Sequence, residues 1–526
     1  PRVALTITTS NAPIGAGIAT SLMVYNRATV NDVTPGYYYW DGTKWTRLLN
    51  GNQSDDWSLT GNAGTVPGTN FIGTTDNVPF NTRVNNTPAG HIGISTDNSV
   101  FLGLNAGLND DGSNNRSTFI GTGAGQGQTN NVHNTGIGYL SLERNVSDYN
   151  TAIGGLTLRN NEGEFNTASG YAALEGNTSG EENVANGYIA LRSNTTGDRN
   201  TAVGSEALTR NTIGLDNTAV GAGALNRVIS GNGNTAIGVN SLNLNTSSHN
   251  TASGFGALQR NTTGSDNTAS GKGALRQNTT GESNTAVGKD ALLNNTTANR
   301  NTAVGESALS QNTTQSHNTA IGFHSLMNNT GGNQNTAVGV NALMNNISGN
   351  QNTATGEKAL YFNTSGYGNT ANGFDALFQN TAGIHNTALG MFSLRANTTG
   401  NANTALGYLA LSSNTAGSNT ALGHSALFQN TTGSYNTAVG NSANSTGNFN
   451  NTTAIGFNAE PTINNEVRLG NAAVTVIGGF ANWTNVSDKR FKTNVKEDIV
   501  GLDFIMKLRP VSYNLDMDAI ATFYKT

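Results

Sequence analysis

Between about Asn98 and Gly456 one phrase recurs in nineteen good copies, each 16 or 17 residues long. Its consensus is Asn-Thr-Ala-Val-Gly-x-x-Ala-Leu-x-x-Asn-Thr-Thr-Gly-x-x, restarting for example at Asn134, Asn200, Asn284, Asn352 and Asn436. A period this short and regular specifies a repeat architecture in which each copy is one coil stacked on the next. Length is then a measure of stack height rather than of domain number, although the chain has 526 residues.

Internal comparison of the copies assigns the coil positions. Counting the first Asn as one, position nine is Leu in eighteen of nineteen copies, position three is Ala in all but Gly136, and position eight is Ala, Ser or Thr. These are expected to point inward, with a variable aliphatic at position four (Val203, Ile237, Leu389) adding to a thin core. Positions six and seven accept charged, aromatic and small residues alike and are expected outside. Position twelve is Asn in seventeen copies, which suits amide ladders and a left-handed corner. The Asn-Thr-Thr phrases also match glycosylation acceptors, read here as a by-product of the corner.

No proline occurs between Pro88 and Pro461. Proline cannot donate to a β ladder, so its exclusion fits amides committed to coil-to-coil bonds. Recurrent Gly, Asn and Thr disfavour helix over the same segment. The expected fold is therefore all-β, a parallel β-solenoid with 16–17-residue coils. Such a small cross-section lacks the apolar area to offset chain entropy alone, which predicts a homotrimer sharing a core. Roughly twenty-two coils about 4.8 Å apart give a stack on the order of 100 Å high.

The flanks differ from the repeats. Residues 1–60 hold three of the four tryptophans (Trp40, Trp45, Trp57), a strand at Leu22–Tyr25 and a hairpin over Tyr37–Trp45, and are expected to form a small β region with an aromatic core or docking surface. Residues 61–97 are an irregular connector or capping coils, 98–456 the repeat shaft, and 457–486 a β neck with strands at Asn465–Asn471 and Val474–Gly479. Residues 487–526 change character, with thirteen charges in forty residues. There, a helix over Glu497–Leu508 and a strand over Val511–Leu515 predict an α+β segment.

Composition excludes some functions. With no cysteine there are no disulfides or Cys-based metal sites, and no cofactor is expected. A net charge of −5 without basic patches argues against a nucleic-acid partner, and no apolar run reaches membrane-spanning length. The loop Asn109–Asn114 lacks the distal Glu of a calcium loop, and His133, His249, His317 and His385 are several coils apart, so no metal site is assigned. Aromatics at position six, such as Tyr139, Tyr171, Phe255, Phe374 and Tyr408, form either adhesive patches or packing between protomers.

The Asn-Thr-Ala-Val-Gly phrase is similar to the Asn-Ser-Val-Ala-Ile-Gly phrase of YadA-type trimeric adhesin heads. That resemblance implies a left-handed parallel β-roll assembled as a trimer. The segment Ser487-Asp488-Lys489-Arg490-Phe491-Lys492-Thr493-Asn494-Val495, followed by Leu508-Arg509-Pro510-Val511-Ser512-Tyr513, resembles the start of the peptidase S74 intramolecular chaperone domain. It implies a trimerisation chaperone that releases itself at Val486–Ser487, with Ser487 as nucleophile and Lys492 as general base. The function expected is an adhesive homotrimeric extracellular fibre, at a cell surface or a virion or injection-system tail, recognising a glycan or protein receptor. The alternative is a receptor-binding tail fibre of a phage or contractile injection system. A glycan-degrading tailspike is the enzymatic rival, but its clustered carboxylates have no counterpart here.

Overall fold

In a computed structural model, residues 2–9, 14–15, 17–48, 66, 71–94, 96–479 and 508 are described, and among them there is no helix. The chain divides into two compact units, Pro1–Phe80 and Asn81–Thr526.

The first unit is a four-stranded sheet of β1 (Arg2–Val3), β2 (Met23–Asn26), β3 (Gly36–Trp40) and β4 (Trp45–Arg47), in that order. The hairpin read from the aromatic run is β3–β4, with Trp40 paired to Trp45 across it. Its turn is fastened by Asp41, whose carboxylate accepts from the backbone N–H groups of Lys44 and Thr43 and is thereby held well below the usual carboxylate range. The two indoles lie 5.2 Å apart and, with Leu5, Val24, Val33 and Tyr38, make the core of this unit. Trp57 lies outside the described residues.

The second unit opens with β5 (Phe80–Val84) and β6 (Thr87–Ile92), joined through Asn85 and Asn86, both left-handed. β6 pairs antiparallel with β7 (Val100–Leu102). From β7 to β29 (Val467–Leu469), three-residue strands follow one per coil, each parallel and in register with the next: Thr285, Ala286 and Val287, for example, face Thr302, Ala303 and Val304. The solenoid expected from the period is therefore present. Hydrogen bonds cross each junction around the whole coil, with Thr285, Leu292 and Thr296 donating forward to Asn301, Ala308 and Thr313, while Gly305 and Ser307 donate back to Val287 and Lys289.

In the coil from Asn284 to Arg300 the buried residues are Asn284, Ala286, Ala291, Leu292, Asn295 and Ala298. Positions three, eight and nine thus point inward as expected. Position four does not: Val203 and Ile237 are 37% and 46% exposed. Alternation along a strand requires this, since an inward Ala at three turns its neighbours at two and four outward. The core of one chain is accordingly thinner than the aliphatic count suggested, and amides occupy much of it.

The corner chemistry also differs from expectation. Left-handed backbone falls at positions seven, nine and seventeen, as at Asp290 (φ 55°), Leu292 (φ 50°) and Arg300 (φ 56°), and not at the Asn of position twelve. A left-handed leucine costs about 1–2 kcal/mol. Complete burial of the side chain returns about 1.5–3 kcal/mol, so the position retains its Leu. Position five requires glycine for a second reason besides its φ of 128° at Gly288: a Cβ there would sit 2.6 Å from the carbonyl oxygen of Gly305 in the next coil.

Two columns of asparagine run through the interior. At position twelve, Asn295 donates through Nδ2 to Oδ1 of Asn278 at 2.7 Å, and the pattern repeats from coil to coil. These amides are fully buried, which removes the Asn-Thr-Thr acceptors from any modifying enzyme. At position one, each backbone N–H donates to the side-chain oxygen of the preceding coil, from Asn150 onto Asn134 through Thr452 onto Asn436, at distances such as 2.8 and 3.0 Å. The side-chain N–H then closes its own loop, as Asn284 does to the carbonyl of Ala298 at 2.8 Å. Sequence reasoning gave position one no role, although its invariance was the signal.

The position-twelve column breaks where Val228 replaces Asn and leaves Oδ1 of Asn211 without a partner, and again where Oδ1 of Asn397 has none. Val228→Asn is expected to rejoin Asn211 to the column and stabilise the stack by about 1 kcal/mol. Thermal melts that place this variant at or below the native chain would contradict the account of the column.

Past the last full copy, β29 continues the ladder by pairing with Thr453–Ile455, so the first strand expected in the neck is the final rung of the stack. The second, at Val474–Gly479, is not a strand; those residues are exposed and pair with no strand among the described residues. Residues 487–526, apart from Leu508, lie outside the described residues, and with them the helix and strand expected there.

Candidate functional site

The expected catalytic pair, Ser487 and Lys492, lies outside the described residues. On the solenoid, the strand face and the corner that follows it present the variable positions.

On the strand face, position four makes an exposed aliphatic column in which Val203, Val220 and Ile237 follow one another on successive coils. It resumes at Val287 and Ile321 and again at Leu406 and Leu422, and lapses to polar residues at Ser169, Asn186, Ser253, Ser270, Thr355 and Asn372. Each rung lies one coil, about 4.8 Å, from the next. An apolar stripe of this length on a polar surface marks an interaction face.

Position six, one step beyond the corner glycine, carries exposed rings at Tyr139, Tyr171, Tyr188, Phe255 and Phe323. The residue just before each restarting Asn adds a second stack, in which His133, Tyr149 and Phe165 lie face to face at 5.1 Å. Of the four histidines sharing that position, His133 is bound into this stack and His385 packs edge-on against Tyr367 at 5.2 Å. Among the described residues no group of three or more His, Asp or Glu is placed to hold a metal ion.

A cleft of about 210 Å³ lies beside β6 and the first coil, lined in part by His91, Phe101 and Asp110. Burial raises the Asp110 carboxyl above its usual range, with the nearby Asp97 charge adding to the effect against the bond from Asn115. His91 contacts Asp97 at 2.7 Å through Nε2 and Asn81 at 2.9 Å through Nδ1, and its ring stacks on Phe101 at 5.1 Å. With both nitrogens and the ring face engaged, His91 fastens the β5–β6 turn to the stack. Along the shaft, acids pair with bases one coil away: Glu143 with Arg159, Glu175 with Arg192 at 2.9 Å, and Glu306 with Lys289 at 2.8 Å. Such carboxylates are tied up as fasteners between coils.

Comparison with known families supplies what the described surfaces do not. Residues 1–63 match the family model described as the phage tail like trimerisation region, and residues 487–522 match that of the chaperone of endosialidase, peptidase S74. Together the two matches support a trimeric tail-fibre type of protein. The S74 match covers the segment picked out from Ser487 onward, and the trimerisation match covers the Trp-rich sheet unit. No curated protein matches the chain. No helix among the described residues is long and apolar enough to cross a membrane.

Proposed function

We propose that the chain is the subunit of a homotrimeric tail fibre that attaches to a surface or host receptor, a glycan or a protein, and matures through its C-terminal chaperone. The observation that carries this reading is a match to a trimerisation region before the parallel solenoid in sequence and a match to an endosialidase chaperone after it. The exposed aliphatic column supports it, because three parallel copies in register bring identical rungs together and bury surface that one chain leaves in water. Its place is outside the producing cell, on a tail or a cell surface.

In the maturation step, Lys492 accepts the hydroxyl proton of Ser487 and Oγ attacks the carbonyl carbon of Val486. The peptide C–N bond breaks as the ester forms, and the Ser487 nitrogen takes up the proton as a free amine. Water then hydrolyses the ester, leaving the Val486 carboxylate and restoring the hydroxyl. A serine next to a basic lysine is the minimal pair for this chemistry, and burial depresses a lysine pKa enough for it to serve.

Intact mass and light scattering on the full-length gene product test both parts. The native protein is expected to lose everything beyond Val486 and to scatter as three chains, whereas Ser487→Ala stays full length. Equal masses for the two proteins refute the cleavage; a folded monomer refutes the trimer.

A further inference from the structure

Over most of the stack, surface rings occur singly, in pairs such as Tyr171–Tyr188, or in one short file, but between Lys358 and Tyr408 exposed rings (Phe362, Phe374, Tyr408) and half-buried ones (Tyr361, Phe378, Phe392) join into a network. Phe378 lies 5.4 Å from Tyr361 and 5.1 Å from Phe362; Phe392 lies 5.5 Å from Phe374 and 6.2 Å from Tyr408. The Arg395 guanidinium connects the two groups, sitting 5.4 Å from the Phe378 ring and 5.5 Å from that of Phe392. Lys358 lies 5.9 Å from Phe374.

Asp375, 5% exposed, anchors the centre: Oδ2 accepts from Nε of Arg395 at 3.2 Å, and Oδ1 has no hydrogen-bond partner. A carboxylate is buried here, incompletely satisfied, to hold one guanidinium between two rings. The Arg395 side chain remains 44% exposed. Its outer N–H groups therefore sit at the surface among aromatic faces.

We propose that this patch is a binding site for a neutral glycan chain. Aromatic faces take the apolar C–H faces of sugar rings, while a fixed guanidinium fork donates to their hydroxyls. The charges balance, because Lys358 pairs with Glu357 at 3.0 Å and Arg395 with Asp375, leaving no surplus cation to select an acidic polymer. Rings recur along the stack coil by coil, which suits a linear polymer of ring-shaped units. The aliphatic column lapses at Thr355 and Asn372, in the coils that carry Tyr361, Phe362, Phe374 and Phe378, and returns at Leu389 and Leu406 in the two coils beyond them. This inference rests on the receptor-binding reading and names its ligand class.

The test uses the full chain and the double variant Phe362→Ala/Phe374→Ala, which trims two exposed rings and leaves the interior intact. Calorimetric titration with cellohexaose, maltohexaose and mannohexaose is expected to show binding of at least one by the native chain, weakened about tenfold or more in the variant. Polygalacturonate is expected to bind no better. Failure of all three neutral sugars overturns the proposal, as does tighter binding of the acidic polymer. A variant that changes the number of chains by light scattering also overturns it, by showing the patch to be an interface between copies. Adsorption of the labelled protein to panels of bacterial cells separates the two readings. No adsorption by the native chain removes the receptor-binding function itself, whereas equal sugar binding by native and variant chains removes only this site.

Discussion

Gly288→Ala is expected to lower the unfolding free energy of the stack by about 4 kcal/mol or more, placing it in the rare, severe class of single substitutions. Two costs coincide. At φ 128° an L side chain is strained by about 1–3 kcal/mol, and the new Cβ would meet Gly305 of the next coil at 2.6 Å from O and 2.7 Å from C. Those atoms are backbone, so relief requires two coils to separate and break the bond from Gly305 to Val287. Gly112→Ala is the control, because its φ is also left-handed at 71° but nothing lies within 4 Å of the new Cβ. Thermal melts and limited proteolysis should separate them widely, with the control costing about 1 kcal/mol. Similar losses for both variants would show that backbone conformation alone, and not the stacking of glycines, sets the requirement.

The second large effect is Asn284→Ala, expected to cost about 3–5 kcal/mol. The side chain accepts from the backbone N–H of Asn301 at 3.0 Å and donates to the carbonyl of Ala298 at 2.8 Å, all at full burial. Truncation strands a donor and an acceptor, each worth about 1–3 kcal/mol when left unpaired inside. Asn295→Ala, in the other column, is expected to cost somewhat less, since its principal acceptor is another side chain, Asn278, rather than the backbone. Hydrogen exchange should localise the damage to the altered coil and its neighbours, as nearest-neighbour stacking requires. Uniform protection along the stack in Asn284→Ala would contradict this.

Much of the solenoid was legible in its residues. The period gave the coil, the missing prolines gave the ladder, and the lone recurrent Leu gave the inside, because a single repeated apolar position has only one place to go. Position four was misassigned for an instructive reason: aliphatic character was weighed above strand alternation, and Val203 faces outward because Ala202 faces in. The role of Asn134 and its successors was hidden because a polar residue in a repeat reads as a corner, whereas its side chain replaces a backbone acceptor between coils. Left-handed leucines leave no trace in composition, since burial outweighs their backbone cost. The alternation at Val474–Gly479 misled because a strand pattern makes a strand only against a partner edge, and among the described residues these have none. Of the candidate sites, the S74 segment was legible as a motif from Ser487 onward, while the Asp375–Arg395 network was not. It joins residues twenty positions apart through coil geometry alone.

Because the backbone bonds between coils run along the stack, a pull on its two ends loads each junction in the direction of its own bonds. Release of one 17-residue coil pays out about 50 Å of chain, so tension is shed in discrete steps instead of by one catastrophic break. At the junctions beside Asn211 and Asn397 the amide column is interrupted, so each lacks one fastener that its neighbours have. A stack built this way meets tension one junction at a time, because each coil is fastened only to its neighbours.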